Sequence, residues 1–266
     1  MAIDMSKPAP KYWLCGSPVL TSFAYAMSAI FPVGERFFVN AVRAALPQLD
    51  STALQATARA FMGQESHHAH LHVQYNARAQ AEGFQVHALT ARLEPVSRWV
   101  QRATSVATQL AITAAFEHFT AMLSTQVLAE DDFLGDAPEP HRTLWRWHAA
   151  EEAEHKAVAF DVFQAVDGRY VRRVVWYLLI SLSFTLATSQ RVLYLMWHDG
   201  TLLQRGNLIA LMAWLFGPSG MMTRVMPRWF AYLRPSFHPD DHDDSELIAE
   251  WENEVLAHTS TVGKAS

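Results

Sequence analysis

Twice along these 266 residues an isolated glutamate in an apolar stretch is followed, at hairpin distance, by Glu-x-x-His: Glu35 then Glu65 and His68, Glu117 then Glu152 and His155. The first glutamates sit in FPVGERFFVNAV and AITAAFEHFTAML, with no Arg or Lys at i±3 or i±4 to pair with. Removing a carboxylate from water costs several kcal/mol per ion even after relaxation. Such a chain must bring something positive to both positions, and that demand constrains its fold more than its composition does.

Helical phase, about 100° per residue, sorts the candidate groups. Glu65, His68 and His72 share one face of their helix, while His67 and His70 fall on the other side. His148, Glu152 and His155 likewise share a face, with Glu154 turned away and Glu151 at its edge. One Glu from each of two helices, plus Glu-x-x-His from each of two more, is the ligand set of ferritin-like di-metal carboxylate bundles. Four carboxylates and two divalent ions make a neutral buried cluster. The expected metal ligands are Glu35, Glu65, His68, Glu117, His148, Glu152 and His155, with His72 as an additional ligand or an outer hydrogen-bond donor. Glu151 is the rival of Glu152, and His118 and Asp161 are expected to orient ligands.

Apolar residues recur at three- and four-residue spacing nearly throughout, and β-type alternation is almost absent, so the chain reads as all-α. Residues 1–16 form an N-terminal arm, 17–168 a ferritin-like four-helix bundle, and 169–266 an apolar helical extension packed on it. The first helix runs from Ser17 to Ala45, with an interruption expected at Pro32–Gly34. The second runs from Ser51 to Ala81. A third region, Val86–Ala129, is expected to break at Pro95. Asp131–Pro140 is a loop, and the fourth helix runs unbroken from Glu139 to Val166. Apolar helix Val171–Trp197 follows, then a Trp/Met-rich segment to Leu233, an acidic loop, a short helix from Ser245 to Ala257, and a fraying tail from His258.

Hydrophobic residues make up 50% of the chain, enough for a large core, and the single cysteine, Cys15, excludes an internal disulfide or a cysteine-cluster metal site. A formal charge of −5 with no basic stripe argues against nucleic acid. The N-terminus does not read as a secretory signal, and a cytoplasmic location is expected. Val174–Thr188 is uncharged but short of the ~20 residues that cross a bilayer, so it reads as a core helix or a peripheral membrane contact. A homodimer is compatible with this apolar content.

The segments FPVGERFFVNAVR, FMGQESHHAHLH, AFEHFTAML, WHAAEEAEHKAVAFDVF and RPSFHPDD together resemble a bacterial family of predicted metal-dependent hydrolases over nearly the whole chain. In ligand pattern alone, the chain also resembles the arylamine N-oxygenases, di-iron proteins with a third histidine four residues before the last Glu-x-x-His; His148 holds that position relative to Glu152. The first expectation is a non-haem di-iron oxygenase or oxidoreductase, using O2 and an external electron donor on a small lipophilic or aromatic substrate. Its alternatives are a dinuclear Zn or Mn hydrolase, which the hydrolase resemblance implies, and a non-catalytic metal-binding bundle.

Overall fold

The computed structural model describes residues 3–129, 134, 135, 137–218 and 220–262, and every regular element among them is helical. Besides short 3-10 turns at Leu46–Gln48 and Pro239–Asp241, the α-helices in chain order are α1 (Pro18–Ala45), α2 (Thr52–Ala81), α3 (Val86–Ala103), α4 (Val106–Ala129), α5 (His141–His155), α6 (Val158–Val166), α7 (Tyr170–His198), α8 (Asn207–Phe216), α9 (Met221–Ala231) and α10 (Ser245–Val262). Residues 131–133 and 136, within the expected loop, and 263–266, the end of the expected tail, lie outside the described residues. Helix starts follow local chemistry: Ser17 Oγ accepts from the Leu20 amide ahead of Pro18, and Ser51 Oγ accepts from Leu54.

Helix α1 packs along α2 and α4; α4 packs along α5 and α6, and α2 touches both of these. The apolar core forms two clusters. One gathers around Phe31, Leu71, Tyr75 and Trp147; the other around Phe37, Phe38, Phe61 and Phe160. Glu35 on α1 and Glu65 and His68 on α2 fall between the two clusters in sequence, and His155 falls between the last member of the first on α5 and the first member of the second on α6, so a polar centre interrupts the core. Helix α7 lies against α1 and α4, and α8 and α9 continue the extension. By length and composition α7 could cross a bilayer, and Leu178, Leu182 and Leu186 are exposed on it. Residues 3–16 are fastened down: Arg78 donates to the carbonyls of Met5 and Lys7, and Trp13 stacks on His141 with ring centroids 4.2 Å apart.

The last helix runs on to Val262, past the end expected at Ala257 and into the tail expected to fray, and three boundaries within the chain are corrected as well. Helix α1 runs through Pro32 without interruption. Proline has no amide to give to the carbonyl of Ser28. That carbonyl accepts instead from Asn76 Nδ2 on α2 at 2.9 Å, and the neighbouring helix supplies what the proline removed. Pro95 does not break α3, because this stretch is exposed and water can serve the carbonyl it frees. The break falls at Thr104–Ser105, where Ser105 Oγ caps the Thr108 amide. The helix expected to be continuous from Glu139 to Val166 is divided at Lys156–Ala157 into α5 and α6. Lys156 is buried there and binds Asp244 Oδ2 at 2.7 Å and the carbonyl of His242.

Replacing Asn76 by Ala strands the Ser28 carbonyl in the core, and urea unfolding should show a loss of about 1–3 kcal/mol. Adding Pro32→Ala, which restores the missing amide, should recover part of that loss.

Candidate metal centre

Helices α1 and α4 each carry one of the isolated glutamates inward, Glu35 and Glu117. Helices α2 and α5 bring Glu65 with His68 and Glu152 with His155, each pair one turn apart on one face. All of these, with His148 and His72, are buried. Donor atoms of Glu65, His68, Glu152 and His155 lie within 4.8 Å of one another, as do those of Glu35, His68 and His148, so His68 belongs to both groups. His155 Nε2 is 3.3 Å from Glu65 Oε1, and its Nδ1 is 3.3 Å from Glu117 Oε2. His148 Nε2 is 2.9 Å from Glu152 Oε1, and His68 Nδ1 is 3.6 Å from the same oxygen. Oxygens and nitrogens bound about 2.0–2.2 Å from a shared cation stand about 3–3.5 Å apart, the spacing found here.

The electrostatics make the same demand. Both oxygens of Glu35, Glu65 and Glu117, one of Glu152, and both ring nitrogens of His155 have no hydrogen-bond partner among the described residues. Burial pushes the carboxyls of Glu35, Glu65 and Glu117 well above their ordinary range and, as the first cause, lowers His148 and His155 to about 4. Burial also opposes charge on Glu152 and His68, but their neighbours outweigh it. With a proton on the nitrogen that faces it, the imidazole of His148, and with it that of His68, would hold Glu152 well below the carboxylate range, and Glu151 and Glu152 lift His68 to about 10. Buried acceptors without donors are rare in folded proteins, and this many in one place fits a site built for cations. The donor set of carboxylate and imidazole, without thiolate, suits Fe, Mn or Zn.

Two contacts fix which nitrogen each histidine turns inward. His68 Nε2 meets Glu151 Oε2 at 3.0 Å, so its N–H donates outward and Nδ1 faces the cluster. Glu151, the phase rival of Glu152, therefore stands behind His68 with its side chain partly exposed, an arrangement that orients a ligating histidine. His72 is placed behind His148 in a longer chain. Asn76 Nδ2 donates to the Ser28 carbonyl, leaving Oδ1 to accept from Ser28 Oγ at 2.7 Å. Ser28 Oγ, its proton so committed, accepts from His72 Nδ1 at 2.9 Å. His72 Nε2 then accepts from His148 Nδ1 at 2.6 Å, and His148 Nε2 turns a bare lone pair toward Glu152. Two acceptors 2.9 Å apart need a positive charge beside them. Both nitrogens of His72 are engaged by Ser28 and His148, which places it in the outer of the two roles expected of it.

His118 and Asp161 are also corrected. His118 Nε2 contacts the carbonyl of Arg228 at 3.1 Å amid Tyr177, Tyr232 and Phe237, and Asp161 pairs with His238 at 2.9 Å; neither reaches the centre. Helical phase alone does not point to Ser28 or Asn76, although a serine four residues before Pro32 marks the carbonyl that the proline leaves free. Aromatic rings close the site: Phe31, Phe61 and Trp147 lie 4.6, 5.0 and 5.0 Å from the rings of His148, His155 and His68. An apolar cavity of about 50 Å³, lined by Phe31, Thr120, Leu123, Trp145 and His148 among others, has room for a few atoms beside the centre.

Metal analysis by mass spectrometry should find about two ions per chain, with a clear loss in Glu117→Ala; equal occupancy in both would remove Glu117 from the site. His72→Phe should weaken metal binding about 10- to 100-fold in chelator competition, and His72→Gln, which keeps an acceptor and a donor, should retain more of it.

Neither a curated protein nor a solved structure matches the chain. A family profile described as predicted metal-dependent hydrolase matches residues 1–243, a span that includes every residue of the centre. The chain belongs to this family of predicted metal-dependent hydrolases.

Proposed function

We propose that the chain is a metal-dependent hydrolase with a dinuclear centre held by Glu35, Glu65, His68, Glu117, His148, Glu152 and His155. The observation that carries the reading is the convergence of four carboxylates, most of their oxygens unpartnered, in a chain whose family is described as metal-dependent hydrolases. Two divalent ions in such a site supply a Lewis acid for a carbonyl or phosphoryl oxygen and acidify water. The protein's part is placement. Glu152 faces both His148 and His68, Glu35 groups with the same two histidines, and Glu65 and Glu117 stand on the two nitrogens of His155, so the four carboxylates spread their charge along the row of imidazoles. Glu151 and His72 aim the histidines by holding their outer nitrogens. Phe31, Phe61 and Trp147 keep bulk water from the site, and the cavity at His148 receives a small apolar part of the substrate.

A second reading, oxidation of a small lipophilic or aromatic substrate with O2 by a di-iron form fed from an external electron donor, is favoured by the ligand complement. A Glu from each of two helices plus two Glu-x-x-His pairs is the set found in di-iron carboxylate bundles. The apolar cavity at His148 is compatible with that chemistry as well.

Loading the protein separately with Zn, Mn and Fe separates the two. Hydrolysis of p-nitrophenyl esters or bis-p-nitrophenyl phosphate by the Zn or Mn form, lost in Glu65→Gln, is the expected result. O2 uptake after reduction of the Fe form, with near-UV absorption and no hydrolysis in any form, would reverse the order.

A further inference from the structure

Away from the metal centre, α3 and α7 flank an open trough whose floor is made by α1 and α4. Its volume is about 660 Å³, within the roughly 300–1,000 Å³ typical of small-molecule sites. Helix α7 contributes a stripe at three- and four-residue spacing from Trp176 through Leu179, Ser183 and Ala187 to Arg191, a run of about 22 Å at 1.5 Å per residue. Phe37 and Phe116 line the floor, and Val96 lines the opposite wall. Exposed Leu178, Leu182 and Leu186 are not in this stripe, so α7 presents the trough and an outward apolar face separately.

The trough is polarised. No Asp or Glu lines it among the described residues, while Arg92 and Arg191 do. Both arginines belong to one end, since Arg92 lies over the ring of Tyr194, 5.0 Å from its centroid, one turn from Arg191. Arg191 is half-buried and makes no hydrogen bond or ion pair among the described residues; burial alone lowers the pKa of its guanidinium. A guanidinium withdrawn from water without a partner at the end of an apolar channel is half of a charge-assisted contact.

We propose that this trough binds a long-chain fatty acid as its anion, with the alkyl chain along α7 and the carboxylate on Arg191 and Arg92. The site is separate from the metal centre and stands whichever reaction that centre performs. A single-chain ligand suits one narrow stripe on α7, and a carboxylate supplies the planar acceptor that a guanidinium grips with two hydrogen bonds.

The test is calorimetric titration of the full chain with palmitate below its aggregation concentration, beside hexadecanol and hexadecyltrimethylammonium, which share its chain length. One palmitate per chain is expected, with the neutral and cationic analogues binding at least about tenfold more weakly, the loss that follows when a charge-assisted hydrogen bond is missing. Arg191→Gln should weaken palmitate by a similar factor and leave hexadecanol unchanged, and Ala187→Trp should block all three. Equal binding of the three ligands by the wild type would overturn the proposal, as would no saturable binding. Binding to phosphatidylglycerol vesicles without binding of palmitate would assign this face to a bilayer and also overturn it. The wild-type comparison decides the question even if a variant fails to fold.

Discussion

Four carboxylates in the middle of an apolar core are the constraint on which the rest of this structure depends. Left charged and unpaired, each costs several kcal/mol, a large share of the ~5–15 kcal/mol by which a domain is stable. Protonation would relieve that cost, and burial pushes three of the four in that direction. The geometry is built for the other solution, in which cations neutralise the group. The donors face one another at coordination spacing, and the histidines among them are held neutral or fixed in orientation by groups behind them. The two apolar clusters on either side then serve as walls that hold charges which would otherwise drive the helices apart.

How those walls are tied to the centre is visible at Pro32. A proline inside a helix usually appears as a defect. Here it frees a carbonyl that draws Asn76 across from α2, and Asn76 in turn orders Ser28, His72 and His148. Backbone packing of α1 on α2 and the tautomer of a candidate ligand are thus settled by one set of hydrogen bonds. In such networks the members are worth more together than singly.

Much of this was legible in the sequence because helical phase is a local property. The all-α class, the faces that bear Glu65 with His68 and His148 with Glu152 and His155, and the need of Glu35 and Glu117 for a positive partner all follow from spacing and polarity. What could not be read locally depended on partners remote in sequence. Pro32 suggested an interruption because Asn76 is 44 residues away, and Pro95 suggested a break because its exposure is not encoded nearby. Glu151 sat at the edge of a face by phase alone, and only the approach of His68 from another helix decides its role. His118 is next to Glu117 and Asp161 six residues past His155 in sequence, yet α9 and the loop around His238 claim them.

The break between α5 and α6 carries a consequence for how the chain is assembled. All the candidate ligands have been synthesised by residue 155, but Lys156, the first residue after them, is neutralised by Asp244, 88 residues further on, which Arg228 also holds. A nascent chain therefore exposes a full set of chelating groups well before the anion that steadies the end of α5 has left the ribosome. The contact that holds the end of α5 thus joins segments far apart in the chain, and a closure of this kind is slow relative to the formation of the helices themselves.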